Sequence, residues 1–132
     1  GAYVASQLIK AMLKRRVHVD GARVLILGLT FKENCPDLRN TRVLDVVAEL
    51  RDYGVHVDVH DPWVDAADVQ HEYGFAMVTT PDVGSYDGVV LAVAHDNYRD
   101  AGATALRNYG REDHVFFDLK SVFGPEESDL RL

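Results

Sequence analysis

"RVLILGLTFKENCPDLRNT", Arg23 to Thr41, joins a plain apolar run to a loop dense in polar specialists. Arg23 to Gly28 is apolar on consecutive positions, as a strand covered on both faces must be. Just past the glycine come an aromatic–lysine pair, Phe31-Lys32, and an acid–x–arginine pair, Asp37 and Arg39. A doubly buried strand needs layers above and below it, which predicts a sheet sandwiched between helices. In such sheets ligands sit beyond the carboxyl ends of the strands, where this loop lies.

Upstream, Ala2 to Arg16 reads as a helix, with Val4, Leu8, Ile9, Met12 and Leu13 at three- and four-residue spacing. It starts without an N-cap, so the sequence is expected to continue a longer chain. Downstream, Thr41 to Gly54 puts Val43, Val46, Val47 and Leu50 on one helical face. Val55 to His60 alternates like a strand with one wetter face, and Asp61-Pro62 stops it. Ala66 to Tyr73 is read as a short helix, "FAMV" (75–78) as a short strand and Val89 to Ala94 as a doubly buried strand. A helix is expected over Tyr98 to Tyr109, weakened by about 1 kcal/mol at Gly102. "HVFFDLK" (114–120) is the last strand, and the acid-rich tail from Gly124 is expected to be loose.

Strands alternating with helices imply right-handed crossovers. The expected fold is α/β, a doubly wound, mostly parallel sheet of about five strands with helices on both faces. It is Rossmann-like and preceded by an N-terminal helix. No internal repeat or linker divides the chain.

The chain has 132 residues, enough for one domain, with 47% hydrophobic and 27% charged residues. Its formal charge of −7 disfavours a sequence-independent nucleic-acid binder, which needs surplus cations against phosphates. No apolar run approaches the ~20 residues that span a bilayer. The lone Cys35 cannot form an internal disulfide, which fits a reducing, cytoplasmic compartment.

The first strand–loop junction is the usual place for a dinucleotide, with Asp61 as the ribose ligand. Gly28-Leu29-Thr30-Phe31 lacks the G-x-G-x-x-G spacing, however, and Leu29 and Phe31 are bulky where backbone must approach a pyrophosphate. Asp61 is therefore read as a turn acid before proline. A receiver-like regulatory module, the alternative, would need carboxylates at the end of the first strand to hold a divalent metal, and none stands there. Cys35 is flanked by Glu33 and Asp37, which suit a loop cysteine better than a nucleophile. His56 and His60 lie about 13 Å apart along a strand, too far for one metal ion. Lys32 remains, beside an aromatic ring at an anion-prone rim, with Lys120 at the end of another strand.

"RVLILGLTFKENCPDLRNTRVLDVVAELRDYGVHVDVHDPWVD" (23–65), with "AVAHDNYR" (92–99) and "FFDLK" (116–120), resembles the C-terminal domain of the UDP-glucose/GDP-mannose dehydrogenase family. The likeness is strongest to bacterial UDP-N-acetylhexosamine 6-dehydrogenases of polysaccharide biosynthesis. It rests on Gly28, Phe31-Lys32, Asp37, Arg39, Thr41 and Asp61-Pro62, and covers Tyr3 to about Gly124. The resemblance implies an NAD-dependent enzyme that oxidises a sugar 6-hydroxymethyl group to a carboxylate. NAD and the catalytic cysteine would belong to N-terminal polypeptide absent here, and the full-length chain would form a homodimer. It implies that residues 1–19 end a connecting helix and that 20–132 bind the UDP-sugar substrate. Phe31 and Lys32 would contact the nucleotide, and Lys120 stands where relatives carry an arginine. Asp37 and Arg39 would order the loop, and Thr41 or Asn40 would cap the next helix. No residue here is expected to be catalytic or to bind a metal.

Overall fold

The computed structural model describes residues 1–39 and 41–132. The elements follow in the order α1 (Ala2–Lys14), β1 (Arg23–Leu27), α2 (Val43–Asp52), β2 (His56–His60), α3 (Ala66–Tyr73), β3 (Tyr86–Leu91), α4 (Asp96–Ala101), α5 (Ala103–Arg107), β4 (Gly110–Asp118) and β5 (Leu130–Arg131). The five strands form one sheet in the order β2-β1-β3-β4-β5, and every pairing is parallel. The doubly wound α/β expectation therefore holds, N-terminal helix included.

The alternation of β1 explains the two layers. Val24 and Ile26 face a core shared with Leu8 and Met12 of α1, Val46 and Leu50 of α2, and Val69 of α3. Leu25 and Leu27 face the opposite core, with Tyr98 of α4 and Ala103 and Leu106 of α5. Successive strand residues point to opposite faces, so a strand buried on both must be apolar throughout. Each Val, Leu, Ile or Met side chain among these, when fully buried, contributes about 1.5–3 kcal/mol of transfer free energy.

Several expected elements differ in the structure. The "FAMV" segment is no strand. Val78 N–H donates to Val59 O at 2.9 Å, but among the described residues no ladder follows. β3 begins at Tyr86 and ends at Leu91, earlier than the sequence suggests. Its polar start can be buried because Asp87 accepts from Arg23 N–H at 3.0 Å and the Tyr86 hydroxyl donates to Asp58 at 2.6 Å. Ala92 and Val93 stay buried but leave the sheet, both donating N–H to Leu27 O. The helix expected over 98–109 starts at Asp96 and is split at Gly102, whose φ of +86° no helix accommodates.

The tail corrects the expectation of a loose end. A short 3₁₀ turn over Pro125–Glu127 leads into β5, which pairs with β4 through Leu130 and Arg131. The cause is Asp129, whose Oδ1 meets Arg15 at 2.8 Å. Its Oδ2 meets Arg107 at 2.7 Å and accepts from Phe116 N–H at 2.7 Å. One carboxylate thus fastens the tail to α1, α5 and β4.

Candidate functional site

β1 lies between β2 and β3, so the chain turns to one side after β1 and crosses to the other after β2. Ligand crevices form at such a reversal, outside the carboxyl ends of the strands. Here an open cavity of ≈ 340 Å³ is lined by Phe31, Lys32, Glu33, Val93, Ala94 and Lys120. The loop after β1, the segment after β3 and the turn after β4 each supply part of it. Phe31 is 44% exposed and both lysines are exposed. The acid in the cavity, Glu33, pairs with Arg99 at 3.4 Å, while Arg99 also donates to Ala94 O at 3.1 Å. The lining therefore offers two ammonium groups against one carboxylate already facing a guanidinium. That balance favours an anion.

Lys120 is set by Asp118 at the end of β4. This fully buried carboxylate accepts from Lys120 N–H at 3.2 Å and from Phe123 N–H at 2.9 Å, folding the turn back on itself. The root of the other lysine is more heavily built. Asp61, at the end of β2, accepts at Oδ2 from Leu29 N–H (2.7 Å), Thr30 N–H (3.1 Å) and His95 Nε2 (2.9 Å). Its Oδ1 accepts from Trp63 N–H at 2.8 Å. The side chains of Asp61 and His95 are both 0% exposed. Burial raises the Asp61 pKa, but the hydrogen bonds from His95 and the three backbone N–H groups outweigh it and hold the carboxyl below its ordinary value.

His95 reaches the same loop from the β3 side. Its Nδ1 lies 2.8 Å from the N–H of Asn34, and a backbone N–H can only donate. Nδ1 is therefore the acceptor and Nε2 carries the proton, directed at Asp61 and, at 3.2 Å, at Thr30 Oγ1. The Thr30 hydroxyl in turn donates to Lys32 O at 2.8 Å.

The remaining singled-out residues are placed as follows. Asp37 and Arg39 pair two-pronged at 3.0 Å on each arm, and Phe31 N–H donates to Asp37 O at 3.1 Å. Thr41 lies two residues before α2, with its hydroxyl bonded to Leu29 O and accepting from Val43 N–H at 3.2 Å. Asn40 lies outside the described residues. His60 engages the Tyr98 hydroxyl at 2.7 Å while His56 is exposed, so the two do not converge. Among the described residues no group of three His, Cys, Asp or Glu could hold a metal, and no helix is long and apolar enough to cross a membrane.

The Arg39 side chain, with help from its N–H, holds the Asp37 carboxyl down at about 2. Its folded value lies below the unfolded one, so whatever stability the pair adds is present above the ordinary carboxylate range and lost as pH falls toward 2. Both groups are solvated, so the effect on stability is small. A proton-coupled NMR titration is expected to find the Asp37 midpoint near 2, and Arg39→Ala to return it to the ordinary range. An unmoved midpoint would break this pairing.

The turn after β1 does not suit a dinucleotide. Leu29 is fully buried against the core, and Asp61, the acid that would serve as ribose ligand, has both oxygens engaged inside the protein. The end of β1 presents Gly28, Leu29 and Thr30, with no carboxylate for the metal of a receiver. The sequence reading missed the Asp61–His95–Thr30 network. Asp61 was legible only as a turn acid, and nothing local to "AVAHDN" announces that its histidine meets a residue 34 positions earlier.

The sequence model for the UDP-binding domain of the UDP-glucose/GDP-mannose dehydrogenase family matches residues 25–125. A UDP-N-acetyl-D-glucosamine 6-dehydrogenase of Pseudomonas aeruginosa is 61% identical over 132 residues, 100% of this chain and 31% of that protein. One from Salmonella typhi is 51% identical over the same span, again 31% of its length. Among solved structures, an NDP-N-acetyl-D-galactosaminuronic acid dehydrogenase from Methanosarcina mazei Go1 superposes with a TM-score of 0.79 at 25% identity. It covers 96% of this chain and 26% of that one. The chain thus spans less than a third of the length of these relatives.

Proposed function

The chain belongs to the UDP-glucose/GDP-mannose dehydrogenase family, through its UDP-binding domain, and from that premise we propose that it grips the nucleotide of a UDP-sugar for an NAD-dependent 6-dehydrogenase. The observation that carries the reading is the cavity at the strand ends, where Phe31, Lys32 and Lys120 converge with a surplus of positive charge. The ammonium groups of Lys32 and Lys120 pair with the diphosphate, and the exposed Phe31 ring offers apolar cover beside them. Asp37, Arg39 and Thr41 order the loop from its far side.

In this proposal the polypeptide upstream holds NAD and the catalytic cysteine, and residues 1–19 end the helix that connects to it. Residues 20–132 form the nucleotide-sugar domain. The engaged Asp61 and the missing glycine fingerprint support a cofactor site elsewhere. The whole enzyme oxidises the sugar 6-hydroxymethyl group to a carboxylate for polysaccharide biosynthesis, as a cytoplasmic homodimer. This chain's own contribution is orientation. Binding the nucleotide far from the reacting carbon holds the sugar in place, and closing the domain over it excludes water.

The test is Lys32→Ala in the full-length enzyme, assayed with NAD against UDP-sugars. Loss of a charge-assisted contact to phosphate should raise KM for the nucleotide sugar roughly 10- to 100-fold and leave KM for NAD alone. An unchanged nucleotide-sugar KM would remove Lys32 from the site.

A further inference from the structure

We propose that His95 is a positioning residue for nucleotide binding, holding the loop Thr30–Asn34 from both ends so that Lys32 faces the cavity. The proposal rests on the reading of Lys32 as a nucleotide contact. His95 itself is fully buried and does not line the cavity, so it acts through the loop.

Asp61 holds Thr30 N–H, Phe31 N–H donates to Asp37 O and Glu33 faces Arg99, but none of these spans Lys32 from both sides. Among the described residues, 28–39 and 41–42 carry no regular secondary structure, and Phe31 to Asn34 are exposed. Lys32 sits between two anchors that meet in one imidazole. On its N-terminal side, His95 Nε2–H points to Thr30 Oγ1, which donates onward to Lys32 O. On its C-terminal side, Asn34 gives its N–H to His95 Nδ1. Asn34 is itself held in a left-handed conformation, φ +54°, and its Oδ1 accepts from Asp96 N–H at 2.8 Å. The ring cannot swing away. Trp63 and Tyr98 flank it at centroid distances of 6.0 and 5.9 Å, and Asp61 holds Nε2. One donor and one acceptor, fixed back to back on a rigid ring, are what the two ends of this loop require. A flexible lysine gains affinity only if its root is preorganised, and small misplacements of a binding group are costly.

Two conservative variants separate the two nitrogens in the full-length enzyme. His95→Gln keeps an N–H for Asp61 and Thr30 but offers nothing to Asn34. His95→Asn keeps an acceptor where Nδ1 stood and loses the reach to Asp61. The expected result is a KM for the UDP-sugar raised roughly 10-fold in each variant, since each loses one of the two anchors, with kcat and the KM for NAD unchanged. A role in bulk stability alone would not confine the effect to the KM of one substrate. If Lys32→Ala raises KM but His95→Gln does not, the positioning role falls and the nucleotide site stands. If Lys32→Ala has no effect either, the site reading falls with it. Should His95→Gln fail to fold, amide exchange in the unaltered, nucleotide-free protein decides. An Asn34 amide protected at least about 10-fold over a free loop supports the bond to Nδ1. Exchange at the free-loop rate overturns it.

Discussion

Asp61→Ala is expected to lower the melting temperature by roughly 10–20 °C, at about 4 °C per kcal/mol for a domain of this size. The carboxylate accepts from Leu29, Thr30 and Trp63 N–H and from His95 Nε2 in a place without solvent. Removing it leaves those donors facing a void. Breaking a buried, charge-assisted set of this kind costs about 3–5 kcal/mol, because the orphaned partners have no water to turn to. Asp61→Asn is expected to fall between, since the amide oxygen can still accept while its NH₂ opposes backbone donors. The acid response follows from the lowered Asp61 pKa. A carboxyl held below its unfolded value stabilises at neutral pH, and that contribution fades as pH drops below the ordinary carboxylate range toward the folded value. Thermal melts of both variants across pH 3–7 check this, the window being set by a usual carboxylate value of about 4. An Asp61→Ala protein that melts within about 4 °C of the parent, near 1 kcal/mol, would show that the carboxylate is no hub.

Gly28→Ala is expected to be nearly as damaging, for a different reason. Gly28 ends β1 at φ +103°, with its N–H on His60 O at 2.7 Å. A Cβ there would stand 2.6 Å from Val93 Cβ and 2.7 Å from Val93 N. Backbone strain of about 1–3 kcal/mol adds to overpacking of about 1–3 kcal/mol, so a total of roughly 2–6 kcal/mol is expected. The neighbour cannot yield cheaply, because it is main chain bonded to Leu27 O. Gly102→Ala is the control. Its φ is also positive, at +86°, but nothing lies within 4 Å of the added carbon. A denaturant titration that ranks the two variants equally would mean that conformation, not contact with Val93, governs Gly28.

The fold was largely legible because two periodicities are written locally. Consecutive apolar residues in Arg23–Leu27 and the three- and four-residue spacing in α1 and α2 need no tertiary information. Where the sequence misled, a distant partner decided. The "FAMV" run looked like a strand but meets the edge of β2 through the Val78–Val59 bond without a ladder following, and the acidic tail became β5 because Asp129 finds Arg15 and Arg107. The candidate site divides the same way. Phe31, Lys32 and Lys120 stand out as side chains at strand ends. The bond between Asp61 and His95 does not, because their meeting across 34 positions exists only once β2 and β3 flank β1.

β5 also covers a border that could otherwise pair with other chains. Without Leu130 and Arg131, the flank of β4 at Phe117 and Asp118 would present unanswered amides and carbonyls beside buried aromatic residues. Such a border recruits strands from neighbouring molecules and seeds fibrils. Two residues suffice to occupy it and are too few to offer a comparable border of their own.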